Sequence, residues 1–287
     1  MESTKGFVVC TSNEAEEKSA EALSMSIKLK NPDANVAIIV KNVRTTTIDE
    51  DTVDYIIEYP FSKDRSTKEN VWQTYWASPF DNTIVLNPYS LVCENLDNTW
   101  DYLIERHDLC FSKTRLDFRG FNLGDDPSSY YVEENVNHIN SDMFYFKKRL
   151  TALEFFNLMD VYSKYWKVIY NKLLKPEHQT DDFDLDLLMS LALKMLDFDS
   201  TISRDNSILT TISTDTITQE LIKDGKVENI FTEYLNIWLR KDSNIKIHNF
   251  IVNGTLCYDS PLFLTEEIYE NYRKNYARKK FRETVVD

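Results

Sequence analysis

The sequence predicts a three-layer α/β/α fold built around a mixed, mostly parallel sheet. Three apolar runs, at 6–11, 35–41 and 53–57, have the β-branched character of buried strands. A fourth run at 83–86 has the same character and follows a segment with helical spacing. Strands that alternate with helices favour a layered sheet with right-handed crossover connections.

The first strand, GFVVCT at 6–11, leads into a helix that we expect to continue to about Lys30. Ser12 or Asn13 can cap this helix, and three glutamates in its first turn suit the helix dipole. The runs NVAIIVK and VDYII then supply the second and third strands. We expect the polar stretch 61–70 to be a loop.

A second helix is predicted from three large rings, Trp72, Tyr75 and Trp76, which share one helix face. Aromatic residues at this spacing are typical of a packed core. Pro79 ends the helix, because the residue before a proline avoids the α region. The buried strand Thr83 to Leu86 follows.

This strand ends on the turn sequence Asn87-Pro88-Tyr89-Ser90. Ligands of open α/β sheets bind beyond the carboxyl ends of the strands. The tetrapeptide 87–90 is therefore a candidate position for chemistry. A short apolar run, Leu91-Val92, and a helix over 95–106 come next.

Further elements are expected in the second half of the chain. Strands are predicted at 108–112 and within 136–148, with an irregular polar stretch between them at 113–127. A long amphipathic helix covers 150–174, and a second helix with an acidic first turn covers 180–196.

The last third of the chain gives weaker signals. The stretch 198–226 fits either a hairpin insertion or a loop, and 227–241 has helical spacing. A helix at 266–282 closes the chain with the basic sequence RKNYARKKFR. Its charge fits either a solvated helix end that complements the helix dipole or a docking patch for an acidic partner.

Composition excludes several classes of function. The chain has 287 residues and a net charge of −14, which argues against binding to duplex nucleic acid. Its five glycines are too scattered for a dinucleotide-binding or P-loop motif. The sequence contains no C-x-x-C motif, so a zinc site or a redox pair is not expected. Without a signal peptide or an apolar span of 18 residues, we expect a cytoplasmic protein.

The stretch SPFDNTIVLNPYSLVCENLDNTWDYL at 78–103 resembles the core of glycogenin-like (family eight) glycosyltransferases of the phage and bacterial type. Weaker resemblances lie at 136–148, 180–196 and 249–265. Together they imply a GT-A fold, the nucleotide-diphospho-sugar transferase fold. The resemblance implies a nucleotide-sugar-binding core at 1–200, with 201–287 completing the same domain.

The resemblance fails at the metal site. The family holds Mn or Mg with an Asp-x-Asp motif and a histidine, and these positions are Asn87, Tyr89 and Cys257 here. Tyrosine and cysteine are poor ligands for a hard cation. We therefore expect a degenerate Asp-x-Asp motif, and we do not assign a metal cofactor. Mn or Mg would be the expected ion of the family.

The resemblance also implies catalytic residues. Asn140 matches an asparagine that faces the sugars, and Asp142 replaces a glycine of the family. Asp142 can fill the sugar pocket or supply a carboxylate. Asp184 matches an aspartate close to the reacting sugar, with Asp182 and Asp186 as alternatives by register, and the helix dipole also favours acidic residues there.

The nucleotide-sugar is expected to meet residues at the strand ends. By resemblance, Thr11 and Ser12 hold the base and ribose, although a simple helix cap explains them equally well. Asn87 and Tyr89 stand at the former metal positions.

Three cations lie close together in the irregular stretch: Lys113, Arg115 and Arg119. Arginine suits phosphate oxygens, so these residues, Arg119 included, are candidate ligands of the donor diphosphate. Ordinary surface charge is the competing interpretation.

Three functions remain open from the sequence. The first is a glycosyltransferase that works without a metal ion. Its donor would be a nucleotide-sugar, with a UDP-sugar as the leading candidate, and its acceptor would be an unknown glycan or protein. The second is an inactive relative, a pseudoenzyme that binds a glycan, a nucleotide or a protein. The third is an assembly factor that uses the basic C-terminal helix as its contact.

Overall fold

The computed structural model describes residues 3–123, 131, 134–203, 209–214, 237–239, 244–247, 249–258 and 261–286. The α-helices in this part of the chain are α1 (Glu14–Lys30), α2 (Thr67–Asn70), α3 (Thr74–Ala77), α4 (Asp97–Arg106), α5 (Leu150–Leu173), α6 (Leu185–Leu196) and α7 (Glu266–Val286). The strands are β1 (Lys5–Cys10), β2 (Val36–Val40), β3 (Tyr55–Glu58), β4 (Asn82–Leu86), β5 (Ser90–Val92), β6 (Leu109–Ser112), β7 (Arg115–Asp117), β8 (Asn140–Lys147), β9 (Ile202–Ser203), β10 (Thr211–Ser213), β11 (Ile237–Leu239), β12 (Ile245–Ile247), β13 (Phe250–Ile251) and β14 (Thr255–Cys257).

The central sheet is mixed and mostly parallel, as predicted. Its strand order is β3-β2-β1-β4-β8-β6-β9. The first four strands of this order are parallel to one another, and β8 runs antiparallel to both β4 and β6. The carboxyl ends of β1 and β4 therefore meet the amino end of β8 at one edge of the sheet.

A second sheet lies beside that edge, with the order β5-β14-β10-β7. Strands β7, β10 and β14 are parallel, and β5 is antiparallel to β14. This sheet brings together segments that are far apart in the sequence. A third sheet has the order β11-β12-β13 and is antiparallel.

The central sheet is buried on both faces. Side chains of a strand alternate between faces, so Phe144 and Phe146 of β8 pack with α5 and α6, while Met143 and Tyr145 pack with α1 and α4. This alternation gives the three-layer arrangement that the sequence predicts.

The Asn13 cap of α1 is one of the expected caps, whereas α6 begins at Leu185, after a cap at Asp184, and not at residue 180 as predicted. The side chain of Asn13 accepts a hydrogen bond from the Glu16 amide at the start of α1. The side chain of Asp184 does the same for the Leu187 amide at the start of α6. The acidic segment before α6 is therefore anchored at Asp184, the residue before the helix.

Some predictions about local structure are wrong. The stretch 61–70 is not only a loop, since it contains α2, which begins with a capping box between Ser66 and Glu69. The helix of the aromatic residues is divided into α2, a single 3-10 turn and α3. Trp72 is buried as expected, whereas Tyr75 and Trp76 are partly buried.

Three further predictions change in the second half of the chain. The stretch 113–127 contains β7, so its described part is not irregular throughout. Strands β9 and β10 of the stretch 198–226 join different sheets and do not form a hairpin together. Residues 237–239 are a strand although the spacing predicted a helix, and the rest of 227–241 lies outside the described residues.

Within the described residues, the helices are all too short or too polar to cross a membrane.

Candidate functional site

A cavity of about 450 Å³ opens at the sheet edge where β1 and β4 end and β8 begins. The first turn of α6, the start of α2 and the first residue of β7 complete its wall. The polar lining residues are Glu16, Thr67, Lys68, Asn87, Tyr89, Arg115, Ser141, Asp142, Asp184 and Asp186. The apolar lining residues are Cys10, Val71, Val85, Leu86, Pro88, Phe144, Phe183 and Leu185.

Asn87, directly after β4, has both side-chain polar atoms engaged. Its Oδ1 accepts a hydrogen bond from the Tyr89 amide at 2.9 Å, and its Nδ2 donates to Asp142 Oδ1 at 2.9 Å. The Asn87 amide also donates to the Asp142 carbonyl at 2.8 Å, because β4 and β8 are paired there. Strand pairing therefore places residue 142 beside residue 87.

Asp142 connects Asn87 to the guanidinium group of Arg115. Arg115 Nη2 lies 2.6 Å from Asp142 Oδ2, and the Asp142 side chain is only 8% exposed. The same Nη2 lies 3.4 Å from Asn140 Oδ1. Both oxygens of Asp142 are thus bound, one by Asn87 and one by Arg115.

Asp186 lies in the first turn of α6 and faces the same cavity. The backbone amide of Ser141 donates to its Oδ1 at 2.9 Å, and the Ser141 hydroxyl donates to the same oxygen. Burial, followed by the charge of Asp142, raises the pKa of Asp186 to about 6, although the Ser141 hydrogen bond lowers it.

On the side of the cavity next to β1, Glu16 connects a second set of polar residues. Its Oε2 accepts hydrogen bonds from the Ser12 amide at 2.6 Å and the Thr67 hydroxyl at 2.5 Å. The hydroxyls of Ser12 and Thr67 lie 2.6 Å apart. Lys68 adds an exposed ammonium group to this side.

The structure brings only part of the predicted site to the cavity. Asn87, Tyr89, Asp142 and Asp184 line it. Thr11 does not, since its side chain is buried and its hydroxyl donates to the Ile39 carbonyl at 3.1 Å.

Asn140 and Ser12 also lie behind the lining rather than in it. The Asn140 amide donates to Thr211 Oγ1 at 2.6 Å and its Oδ1 accepts from the Asp142 amide at 3.1 Å, so Asn140 supports Asp142. Ser12 supports Glu16 in the same way.

Of the three clustered cations, Arg115 reaches the cavity. The Arg119 Nε donates to Asp117 Oδ2 at 2.7 Å at the far end of β7, and Lys113 donates to Asn137 Oδ1 at 2.9 Å. Their separation follows from the strand: β7 begins at Arg115 and carries the chain away from the cavity.

The expected metal positions do not fit a hard divalent cation. Asn87 has no free side-chain atom, and the Cys257 thiol is buried beside Ser90 Oγ at 3.1 Å. Burial raises the pKa of Cys257 well above its usual value, so it is a neutral thiol. Within the described residues, no three His, Cys, Asp or Glu side chains are grouped to hold a metal.

The sequence contained no sign that Glu16 and Lys68 line the cavity, and it named Arg115 and Asp186 only among alternatives. The acidic segment before α6 signalled Asp186 only as one of three register alternatives. Arg115 was one of three equivalent candidates, and the choice depends on where β7 begins. Glu16 stands in the first turn of α1, where an acidic residue is explained by the helix dipole. The sequence therefore offered no reason to expect that Glu16 lines the cavity.

The chain has a fold found among solved glycosyltransferases. It is similar to a galactosyltransferase, LgtC, in complex with donor and acceptor sugar analogues, with a TM-score of 0.53, 12% identity and 95% of each chain covered. An active-site mutant of LgtC gives a TM-score of 0.53 at 13% identity, again over 95% of each chain.

The glycosyltransferase GlyE of Streptococcus pneumoniae TIGR4 gives a TM-score of 0.50 at 13% identity, covering 95% of this chain and 60% of that chain. No protein-family model and no curated protein matches the sequence. The similarity establishes the GT-A glycosyltransferase fold.

Proposed function

We propose that this protein is a glycosyltransferase of the glycogenin-like (family eight) type that transfers a sugar from a UDP-sugar to a glycan or protein acceptor without a metal ion. The proposal combines the GT-A fold with a cavity at the sheet edge where ligands of α/β folds bind. A cavity of about 450 Å³ has the size of a small-molecule site.

The observation that carries the metal-free mechanism is Arg115, held beside Asn87 by the carboxylate of Asp142. A glycosyltransferase must stabilise the negative charge that develops on the departing diphosphate. Arginine carries a permanent charge and binds phosphate oxygens through a planar set of donors. Arg115 is therefore the residue that we assign to the leaving group, with Lys68 at the cavity rim as a second cation.

The other lining residues are assigned by position. Asn87 and Tyr89 flank the diphosphate, and Glu16, which Ser12 and Thr67 hold in place, faces the nucleoside. Asp184 and Asp142 are assigned to the donor sugar, whose hydroxyl groups donate to carboxylates. Asn140 positions Asp142 from behind, because its Oδ1 accepts a hydrogen bond from the Asp142 backbone amide at 3.1 Å.

Thermal unfolding tests donor binding. We would measure the midpoint with UDP-, GDP-, ADP- and CMP-sugars, each with EDTA and with Mn. A ligand that binds only the folded state raises the midpoint. A rise with a UDP-sugar that survives EDTA, and that Arg115→Lys weakens, supports the proposal. No rise with any nucleotide-sugar contradicts it.

A second function is favoured by one specific observation. Asn87 and Cys257, at two expected metal positions, make hydrogen bonds within the protein, which is also expected of a pseudoenzyme that binds a nucleotide or glycan without turnover. The two functions differ in hydrolysis: a transferase slowly releases UDP from its donor to water. Binding without UDP release would favour the inactive module.

A further inference from the structure

One face of the long helix α5 is both exposed and apolar. Four of its large apolar side chains have exposed fractions between 46% and 68%: Leu150, Val161, Tyr165 and Val168. With 3.6 residues per turn, these positions fall within one narrow stripe along the helix. The opposite face of α5 packs in the core against α6. A helix with apolar residues on both faces is normally covered on both.

Phe61 extends this stripe beside the middle of the helix. Its exposed ring stacks on Trp72 with 5.4 Å between the ring centroids. Lys164 of α5 lies over the same indole, with Nζ 5.5 Å from the ring centroid. Arg65 Nη1 donates to the Ser163 carbonyl at 3.0 Å, which holds the segment of Phe61 against α5.

These exposed side chains together form the α5 patch: Phe61, Leu150, Val161, Tyr165 and Val168. Single exposed apolar residues are common on protein surfaces, whereas a run of them along one element marks an interaction surface. The patch therefore calls for a partner whose chemistry fits it.

Two charged residues of the same stripe have opposite signs. Glu154 lies near the amino end of α5 and Lys172 near its carboxyl end, and both are exposed. Neither makes an ion pair or a side-chain hydrogen bond within the part of the chain that the structure describes. Lys164 differs, because it is paired with Asp160 at 2.7 Å. The stripe thus has an acidic end, an apolar middle and a basic end.

This order of residues is complementary to itself. Consider two copies of α5 that lie antiparallel, with a twofold axis at the level of residue 163. Positions at equal distances on either side of 163 then face each other, which pairs Glu154 with Lys172 of the other copy. Val161 meets Tyr165 of the other copy in the same way. Each contact forms twice, as a twofold axis requires.

We propose that the α5 patch is covered by a second copy of this chain, in a symmetric dimer with antiparallel α5 helices. A partner with charge of one sign would meet a like charge at one end of the stripe, whereas a second copy meets an opposite charge at both ends. Helix α5 supplies no residue to the described lining of the cavity, so the dimer does not depend on the proposed glycosyltransferase function.

Sedimentation velocity of the full chain over a range of concentrations tests the dimer, and we expect a monomer–dimer equilibrium. Tyr165→Glu places a charge in the middle of the patch of both copies and should raise the dissociation constant at least about 100-fold. Phe281→Glu is the control, because it makes a comparable change at a ring of α7 that is 71% exposed. It should leave the constant within about twofold, since salt screens a distant charge.

Reversal of the end charges tests the antiparallel arrangement. Glu154→Lys and Lys172→Glu each replace two attractive contacts of the dimer by two repulsive ones. Each should raise the dissociation constant about tenfold at low salt and much less at high salt. A mixture of the two single variants should associate with wild-type affinity, because every facing pair then has opposite charges again. Both residues are exposed, so circular dichroism of each variant should match the wild type.

Three results would overturn the inference. The first is a wild-type protein that stays monomeric at every concentration at which it is soluble. The second is an equal effect of Tyr165→Glu and Phe281→Glu on the dissociation constant, since the copies would then meet through another surface. The third is a mixture of the two charge variants that associates no better than either variant alone.

Discussion

The two walls of the cavity differ in charge although they face the same space. The wall at the end of β4 consists of Asn87, Pro88 and Tyr89 and carries no carboxylate. The wall built by β8 and α6 carries Asp142, Asp184 and Asp186. The family resemblance places metal-binding carboxylates on the first wall. Here the acidic groups stand on the neighbouring strand β8 and on α6, and Arg115 is the cation that Asp142 binds.

Asp142 is the residue that links the two walls. The sequence resemblance predicts a glycine of the family at this position. Its side chain bridges Asn87 and Arg115, so the space beside the strand end holds an internal ion pair. A fixed guanidinium, unlike a bound metal ion, cannot be removed by a chelator.

The largest effect is expected from Arg115→Met, which removes the cation that Asp142 binds. Asp142 would keep a nearly buried charge without its partner, and we expect the free energy of unfolding at pH 7 to fall by about 3–5 kcal/mol. Urea denaturation measures the loss.

The control for that loss is Arg149→Met, which breaks an exposed pair with Asp108 at 3.5 Å. It should cost less than about 1 kcal/mol. Equal losses in the two variants would mean that the Arg115 pair has no special role in stability.

A smaller effect is expected when the carboxylate returns to the β4 wall. Asn87→Asp replaces a hydrogen bond to Asp142 by two facing carboxylates and should cost about 2–3 kcal/mol at pH 7. The double change with Asp142→Asn restores one donor and one acceptor, so part of the loss should return.

Chemical denaturation of all four proteins in this cycle gives the coupling energy between the two positions. A coupling of zero would contradict the direct hydrogen bond between positions 87 and 142.

Asp186→Asn tests the acidic wall through the pH dependence of stability. The folded pKa of about 6 lies above the ordinary value of 3.8, so the contribution of Asp186 is fully present below pH 3.8 and is lost as the pH rises through 6. At pH 8 the variant should be more stable than the wild type by about 3 kcal/mol, and at pH 4 the difference should fall below about 1 kcal/mol.

The same comparison with Asp184→Asn is the control, because asparagine also caps helices well. Urea denaturation at pH 4, 6 and 8 measures both variants. A pH-independent difference for Asp186→Asn would show that its pKa is not raised.

The smallest effect is expected from metal and thiol reagents. Since the side chains of Asn87 and Cys257 do not fit a divalent ion, 1:1 Mn and excess EDTA should give unfolding midpoints within about 1 °C of each other for the protein without donor. All four cysteines are buried, and burial raises the pKa of Cys10 to about 12.

A thiol reagent at pH 8 should therefore label none of the cysteines in the folded protein and all four in urea. Rapid labelling of Cys257 in the folded state, or a large Mn-dependent shift of the unfolding midpoint, would contradict this expectation and favour a metal site at the β4 wall.

Part of this picture was predictable from local patterns. The apolar runs of β1, β2 and β4 and the broad apolar face of α5 fixed the layered fold, because burial of a periodic face is the main force that forms these elements. The Asn13 cap was also readable. The capping box at Ser66 was equally local, yet the polar composition of the segment hid α2.

The site was less predictable because it depends on pairing between distant segments. Asp184 and Asp186 are two residues apart, and only the start of α6 decides that the first is the cap and the second is held by Ser141. Arg115 and Arg119 look alike in sequence, and only the strand β7 sends one to the cavity and the other to Asp117.

By itself, the sequence predicted strands β1 to β4 and helices α1, α4 and α5, and it shows that positions 87 and 89 carry no carboxylate, since both are properties of residues close together in the chain. The tertiary structure decided that Asn87, Arg115 and Asp142 meet, because the pairing of β4 with β8 and the placement of β7 bring together residues up to 55 positions apart. The charges of Arg115 and Asp142 interact strongly only because the fold brings them into contact, since electrostatic interaction depends on distance and burial.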